Sequence, residues 1–293
     1  MCQATIRRMP QAASSTSTAP GQGVAHYENF PVASVLCPPH LRRPITAIYG
    51  FARTADDLAD EGDAEPAQRL ADLAAFRADL AATVRGAAPS PRWAGVFAAL
   101  APAITRYQLP VPLLEDLLSA FEQDVVKNRY ATPAELADYC RRSANPVGRL
   151  LLHLYGVQDG PSLAQSDAIC SALQLINFWQ DLSVDIPRGR IYLPQSAWAA
   201  HHVTEANLLA RQPTRGAIEL IAEQARIARA QMMFGSKLVK KLPGRGGWEL
   251  RLVVQGGLRI LDKIEAMGFS TLNARPKLTA WDAPVIAWRV LRM

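Results

Sequence analysis

Apolar residues recur at helical spacing along most of the chain after position 38, with proline or glycine where these segments should begin or end. Sustained period-two alternation is absent, so few strands are expected. No change of composition and no repeat of about 20–50 residues marks a second unit. The sequence therefore predicts one all-α domain over residues 25–293. Its predicted helices lie at about 39–60, 66–85, 91–106, 110–128, 133–155, 162–185, 215–240, 247–267 and 283–291.

The predicted helix at 162–185 combines an apolar surface with a single polar stripe. Its flanking residues are apolar nearly all round, which is typical of a buried helix. The stripe consists of residues spaced three, four and four apart, which share one face: Gln174, Asn177, Asp181 and Asp185. A buried carboxylate without a partner costs several kcal/mol or gives up its charge. The stripe therefore requires cations.

The first predicted helix carries a matching acidic face. Tyr49, Arg53, Asp56, Asp57 and Asp60 follow at helical spacing, and Asp56 and Asp60 lie one turn apart, as Asp181 and Asp185 do. Alone, this face is explained equally well by a solvated acidic helix end. Two such pairs on two helices, however, suit Mg²⁺, which prefers oxygen ligands and is often completed by substrate phosphates. The predicted metal ligands are Asp56, Asp60, Asn177, Asp181 and Asp185.

The charge of the chain narrows the class of partner. A formal net charge of +6 and a pI near 9.3 fit an anionic substrate, an anionic membrane surface or nucleic acid. Nucleic acid is disfavoured, because no zinc-finger spacing and no RNP-like aromatic motif occurs. No HExxH motif and no GxGxxG after a strand is present either, so a catalytic zinc site and a nicotinamide cofactor are not supported.

The localisation expected from the sequence is cytoplasmic. The four cysteines are far apart, residues 1–24 read as a disordered leader without an apolar signal region, and no apolar run of about 18 residues exists. One basic run is interpreted as a solvated face, with peripheral contact to the inner face of an anionic membrane as the alternative. The run comprises Lys237, Lys240, Lys241, Arg245 and Arg251.

These motifs together resemble the squalene/phytoene synthase family of trans-isoprenyl diphosphate synthases, over nearly everything from residue 26 to 277. The first family motif, Tyr-x-x-x-Arg-x-x-Asp-Asp-x-x-Asp, is met between Tyr49 and Asp60. The second, Gln-x-x-Asn-x-x-x-Asp-x-x-x-Asp followed by Arg-Ile-Tyr, begins at Gln174. A middle segment is met by Tyr139, Cys140, Val147 and Gly148. The resemblance implies an isoprenoid-synthase-type helical bundle around a central apolar cavity.

Within that family, the segments at 26–34, 143–149 and 177–181 look like those of the bacterial hydroxysqualene synthases of hopanoid biosynthesis. Such an enzyme is a carbon–oxygen lyase that ionises presqualene diphosphate and lets water trap the cation. Gln180 stands where many relatives carry Arg, and Glu28 where some condensing relatives carry Lys. Both departures remove positive charge near the expected diphosphate and favour this branch. Head-to-head condensation of two prenyl diphosphates stays open, as does a non-catalytic assembly factor, although all four aspartates expected to bind metal are present.

The resemblance and the chemistry together assign the expected roles. The catalytic set is Asp56, Asp60, Asp181, Asp185 and Tyr139. The diphosphate-binding set is His26, Arg53, Gln174, Asn177, Arg190 and Tyr192. Phe51, Leu173, Phe178 and Tyr139 are expected to line the hydrocarbon pocket. The expected partners are Mg²⁺, presqualene diphosphate and other enzymes of the pathway.

Overall fold

The computed structural model describes residues 37–242 and 244–293. Within these ranges the chain is helical, contains no β-strand, and has one isolated parallel bridge, between Arg129 and Ile191. The predicted all-α class is therefore confirmed. The helices in chain order are α1 (Pro39–Asp60), α2 (Pro66–Val84), α3 (Ala94–Tyr107), α4 (Val111–Val126), α5 (Pro133–Ser143), α6 (Asn145–Leu154), α7 (Gly160–Gln180), α8 (Leu182–Asp185), α9 (Gln195–Ala200), α10 (Glu205–Leu209), α11 (Arg215–Gly235), α12 (Gly244–Ala266) and α13 (Ala283–Leu291). Short 3₁₀ turns lie at Pro91–Trp93, Ile186–Arg188, Ser236–Lys240 and Ala280–Asp282.

The single helix predicted at 133–155 is wrong in its middle, where α5 and α6 meet at Ala144. The N–H of Ala144 donates to the carbonyl of Cys140 at 3.0 Å, which closes α5. Pro146 has no N–H and cannot extend that ladder of hydrogen bonds. The N–H of Val147 donates instead to the carbonyl of Ala144 at 3.2 Å and opens α6.

The helix predicted at 162–185 is also interrupted, because Asp181 lies between the end of α7 and the start of α8. The interruption is one residue long. The N–H of Asp181 donates to the carbonyl of Asn177 at 2.9 Å, and the N–H of Asp185 donates to the carbonyl of Asp181 at 2.9 Å. An additional i→i+3 bond, from Val184 to Asp181 at 2.8 Å, tightens the turn. The four-residue spacing of the polar stripe is therefore preserved.

The remaining differences from prediction lie at helix ends and in short elements. The helix predicted at 215–240 loses α-helical geometry after Gly235 and continues as a 3₁₀ turn. The last long helix begins at Gly244 rather than at 247. The pattern does not predict α9 and α10, since elements of six and five residues are too short to display helical periodicity.

Two clusters of buried side chains form the core. The first surrounds Phe51, Phe76 and Phe97 and joins α1, α2, α3, α4 and the end of α6. The second surrounds α7 and joins it to α5, α11 and α12. A cavity of about 460 Å³ lies between them, with Ile48 of the first cluster and Leu152 of the second in its wall. The predicted central apolar cavity is therefore present.

Close approach of two helices fixes one wall of this cavity. A Cβ atom at Gly148 of α6 would lie 2.4 Å from Ser166 Oγ and 2.5 Å from Cys170 Sγ of α7. Only glycine allows the two helices to pack at this distance. Among the described helices, none is long and apolar enough to cross a membrane. The predicted leader at 1–24 lies outside the described residues.

Candidate active site

Helix α1 presents the first acidic motif on one face, with Arg53 at its centre. The Arg53 guanidinium donates to Asp56 Oδ2 at 3.2 Å and lies 2.7 Å from Asp57 Oδ1. It also donates to Glu61 Oε1 at 2.7 Å, just beyond the end of the helix. One arginine therefore holds two carboxylates of its own helix and one just beyond it, and this offsets the repulsion that their spacing creates.

The second acidic motif runs from α7 into α8 and becomes more buried toward its aspartates. Gln174 is half-buried, and the side chain of Asn177 is exposed to solvent at the end of α7. The side chain of Asp181 keeps only 18% of its exposure. Burial is the largest cause that raises the pKa of Asp185 to about 7, and the charge of Asp181 adds to it. The stripe thus leads from a solvent-accessible edge into a site where a negative charge is poorly solvated.

The two motifs face each other across the segment that follows α8. Arg190 forms an ion pair with Asp60 at the end of α1. The charge of Asp60 also raises the pKa of Asp185, after burial and Asp181, while Arg190 and Arg188 lower it. The parallel bridge between Arg129 and Ile191 fixes the backbone beside Arg190. The structure therefore brings Asp60, Arg190 and Asp185 together, as the two facing motifs predict.

Asp124 on α4 is a third acidic element that the sequence motifs do not reveal. Tyr139 donates from its hydroxyl to Asp124 Oδ2 at 2.8 Å. Burial raises the pKa of Asp124 to about 7, the bond from Tyr139 and the charge of Arg190 lower it, and Asp56 and Asp60 raise it. Tyr139 is therefore tied to the acidic centre through Asp124. No motif marks Asp124, because a single acid on an amphipathic helix is ordinary.

Replacing Asp124 with Asn should stabilise the metal-free protein at neutral pH relative to wild type. The folded-state pKa of about 7 exceeds the value of about 3.9 expected for an unfolded chain. Protonation of the Asp124 carboxyl therefore stabilises the fold fully below about pH 4, and this stabilisation is lost as the pH rises through about 7. Urea unfolding in EDTA should show the advantage of Asp124→Asn growing over this range to a few kcal/mol. Tyr139→Phe should make the loss of stability larger and extend it to higher pH, since the hydrogen bond that lowers the pKa of Asp124 is gone. An advantage of Asp124→Asn that does not vary with pH would contradict the argument.

Arg275 covers the second motif in the way that Arg190 covers the first. It pairs with Asp181 through two nitrogens, and the Nη2–Oδ2 distance is 3.1 Å. Burial raises the pKa of Asp181, and hydrogen bonding and charge from Arg275 oppose that rise. The sequence gives no sign of this contact, because 94 residues separate the two positions.

Gln180 occupies a different place from the one expected of it. Its side chain is 1% exposed and donates from Nε2 to the carbonyl of Pro276 at 2.7 Å. It therefore anchors the segment that carries Arg275, and Arg275 supplies the positive charge beside Asp181. The loss of positive charge expected from Gln180 is therefore accompanied by a positive charge from Arg275 at the same end of the site.

The donor set of the two motifs fits Mg²⁺ in kind. It consists of carboxylates and amide oxygens, and the mutual repulsion at Asp185 is what a cation would relieve. Within residues 37–242 and 244–293, no three His, Cys, Asp or Glu side chains are grouped closely enough to hold a metal ion. The motif carboxylates are paired with arginines: Asp56 with Arg53, Asp60 with Arg190 and Asp181 with Arg275.

The charged centre is continuous with the apolar cavity. Tyr49, Arg53 and Asp56 stand in the cavity wall, so α1 runs from the charged end along the length of the cavity. Most of the remaining wall comes from α6, α7 and residues between 238 and 253, with Phe121 of α4 also contributing. Such a site fits a molecule with an anionic head and a hydrocarbon body.

The aromatic residues expected in the cavity wall have other positions. Leu173 lines the cavity, but Phe51 packs in the first core cluster, where its ring centroid lies 5.2 Å from that of Phe76. Phe178 stacks on Tyr192 with ring centroids 3.7 Å apart and an interplanar angle of 7°. Phe178 and Tyr139 are thus buried against Tyr192 and do not stand in the wall of the cavity. Tyr192, expected to bind diphosphate, is itself buried in this cluster. His26, expected to bind diphosphate, lies outside the described residues.

Comparison with known proteins agrees with this arrangement. The family model described as squalene/phytoene synthase matches residues 24–282. The chain belongs to the squalene/phytoene synthase family. It is 32% identical to a hydroxysqualene synthase of Sinorhizobium fredii, over 86% of this chain and 84% of that protein. It is 30% identical to a presqualene diphosphate synthase of Rhodopseudomonas palustris, over 88% and 90% of the two chains.

A solved structure supports the same fold. The crystal structure of squalene synthase HpnC from Alicyclobacillus acidocaldarius matches with a TM-score of 0.77 and 37% sequence identity. The match covers 84% of this chain and 90% of that one. The isoprenoid-synthase-type bundle expected from the motifs is therefore confirmed, and with it an enzyme family that processes isoprenyl diphosphates.

Proposed function

We propose that this protein converts presqualene diphosphate and water to hydroxysqualene and diphosphate, with Mg²⁺ as cofactor. The observation that carries the proposal is the charged centre at one end of a 460 Å³ apolar cavity. Arg53 and Asp56 belong to the charged centre and also line the cavity. An amphiphile with a diphosphate head and branched hydrocarbon chains matches these two halves. The hydroxysqualene synthase of Sinorhizobium fredii supports the choice of reaction.

In the proposed reaction, the diphosphate leaves with the bonding electron pair, and a water oxygen then bonds to the carbocation and loses a proton. Bound Mg²⁺ would neutralise the charge of the departing diphosphate, with Asp56, Asp60, Asn177, Asp181 and Asp185 as its ligands. Arg53, Arg190 and Arg275 would bind diphosphate oxygens, because guanidinium forks match phosphate oxygens.

The remaining residues prepare the site for an unstable cation. The apolar residues that line the cavity, among them Ile45 and Val253, keep bulk water from the hydrocarbon chains of the substrate, so that only a positioned water can react. Tyr139 is held by Asp124 and packed against Phe178 and Tyr192, which fixes the wall of the charged centre. A rigid centre favours a single outcome for the cation over random elimination.

Turnover of presqualene diphosphate tests the proposal directly. Purified protein with Mg²⁺ and this substrate, without a reductant, is expected to release hydroxysqualene, detected by gas chromatography with mass spectrometry. EDTA should stop the reaction. If presqualene diphosphate is not consumed in the presence of Mg²⁺, the proposed function is wrong.

Condensation of two farnesyl diphosphates to presqualene diphosphate is the second candidate. The presqualene diphosphate synthase of Rhodopseudomonas palustris favours it, since its identity to this chain is 30% against 32% for the hydroxysqualene synthase. The positive charge that Arg275 brings to Asp181 also weakens the argument against condensation. Supplying farnesyl diphosphate in parallel separates the two, because only a condensing enzyme makes presqualene diphosphate from it.

A further inference from the structure

The connection between α11 and α12 has two sides of opposite character. Its inner side lines the hydrocarbon cavity through Leu238, Leu242 and Leu250. Its outer side is a surface of exposed apolar and basic residues, here called the basic aromatic surface. The exposed members of this surface are Met233, Phe234, Lys237, Lys240, Lys241, Arg245, Trp248 and Leu252, and the half-buried Arg251 completes it. The same turns therefore face the cavity on one side and solvent on the other.

The apolar members of this surface are unusually exposed. Phe234 is 50% exposed, and Trp248 and Leu252 are 42% and 39% exposed. Two of the rings lie under cations: Lys237 Nζ is 5.8 Å from the ring centroid of Phe234, and Arg251 Cζ is 4.6 Å from that of Trp248. An aromatic ring beside a cation suits the boundary between lipid headgroups and acyl chains.

The charged residues of the surface are almost all basic. Between residues 233 and 253 the sequence has five basic residues and a single acid, Glu249, and Glu249 stands in the wall of the cavity. The side chains of Lys237, Lys240 and Lys241 are exposed. A basic cluster of this size is attracted to anionic phospholipid, whereas a second copy of the same surface would repel it.

We propose that the basic aromatic surface docks the protein on an anionic phospholipid bilayer. The docked protein would hold the hydrocarbon cavity near the lipid, because Leu238, Leu242 and Leu250 of the same segment line that cavity. Given the proposed function, this position lets a water-insoluble isoprenoid pass between the bilayer and the cavity without crossing water. The segment itself is closely packed, because a Cβ at Gly247 would lie 2.8 Å from the carbonyl oxygen of Leu242.

Vesicle binding without substrate or Mg²⁺ tests the docking itself. The full chain should co-sediment with vesicles of phosphatidylglycerol and phosphatidylcholine but not with phosphatidylcholine alone, and added salt should release it. Because each basic residue near an anionic surface is worth about fivefold in binding, Lys240→Glu with Lys241→Glu should weaken binding by about 25-fold or more. Phe234→Ser with Trp248→Ser should weaken it independently of salt.

Matched controls come from the ends of α2 and α3. Arg85→Glu with Arg106→Glu changes the net charge by the same amount at exposed positions. Val84→Ser removes an apolar side chain that is 43% exposed. Both controls should bind vesicles as the wild type does. Equal loss in the controls, or wild-type binding by the two surface variants, would overturn the proposal.

The remaining outcomes separate the occupant and the role in turnover. A dimer in solution that Phe234→Ser with Trp248→Ser dissociates, with no vesicle binding, would assign the surface to a second copy and refute docking. For passage of the isoprenoid, Lys240→Glu with Lys241→Glu should lower turnover of vesicle-borne substrate but not of substrate in detergent. Absence of all turnover in wild type would refute the proposed function and leave the vesicle-binding result standing.

Discussion

Asp185→Asn is expected to lower kcat/KM for presqualene diphosphate by about a thousandfold or more, while the fold stays as stable as wild type or becomes more stable. The carboxylate is buried and repelled by Asp181 and Asp60, and these are the causes that raise its pKa to about 7. Replacing the charge with an amide of the same shape removes that repulsion, so the free energy of unfolding at pH 8 in EDTA should rise by about 1–3 kcal/mol. Turnover is lost because one proposed oxygen ligand is gone. Urea unfolding checks the predicted stability, and product analysis on the same preparation checks the predicted loss of turnover.

Asp181→Asn is the matched control, since it should lose activity without the same gain in stability. Burial raises the pKa of Asp181 as it does that of Asp185, but Arg275 opposes the rise, and its side chain, 13% exposed, would keep its charge without the carboxylate. Removal of the buried charge and loss of the ion pair therefore oppose each other, and the free energy of unfolding should rise less than in Asp185→Asn. Mg²⁺ should raise the melting temperature of wild type and of neither variant. If Asp185→Asn retains wild-type turnover, the metal argument fails; if stability changes equally in both variants, the account of repulsion at Asp185 fails.

The elements that depend on spacing could be predicted from the sequence. Asp56 and Asp60 lie one turn apart on α1, whose observed bounds are those predicted. The spacing of Asp181 and Asp185 survives the break at the end of α7, because helical backbone hydrogen bonds continue across it. The N–H of Asp181 donates to the carbonyl of Asn177, and the N–H of Asp185 donates to that of Asp181. A four-residue period is a property of local backbone geometry, and local geometry is encoded locally.

The contacts that close the site could not be predicted in the same way. Arg275 reaches Asp181 from an irregular segment after α12, and Tyr139 reaches Asp124 from another helix. Such pairings depend on how helices pack, and the side-chain types allow many other pairings. Gln180 shows the same limit, because its position beside Asp181 in sequence suggested the diphosphate site, and packing turns its side chain to Pro276.

Phe51 illustrates why apolar residues are poor predictors of a pocket. It belongs to the same helix as Tyr49 and Arg53, which line the cavity, but it points to the first core cluster instead. A helix that separates a core from a cavity is apolar on both faces, so periodicity shows that a residue is buried but not which of the two it faces.

Arg190→Gln is expected to lower kcat/KM by about 100- to 1000-fold and to make the stability of the protein depend strongly on Mg²⁺. Arg190 pairs with Asp60, and its charge also lowers the pKa values of Asp124 and Asp185. Without it these carboxylates repel one another, and the free energy of unfolding in EDTA should fall by about 1–3 kcal/mol, a range reduced because Asp60 is partly exposed. Thermal unfolding with and without Mg²⁺ measures the effect.

The sign of the Mg²⁺ effect distinguishes a cation site from an ordinary ion pair. In the proposed site the metal takes the carboxylates that Arg190 releases, so Mg²⁺ should restore more stability to Arg190→Gln than it adds to wild type. Arg129→Gln is the control: Arg129 lies beside the same segment, with its guanidinium 2.8 Å from Glu205 and bonded to the carbonyl of Gly189 at 2.5 Å. Its loss should lower stability without any added response to Mg²⁺, because the carboxylates of the acidic centre remain covered. Equal Mg²⁺ responses in the two variants would mean that Arg190 braces the segment after α8 and does not stand where a metal binds.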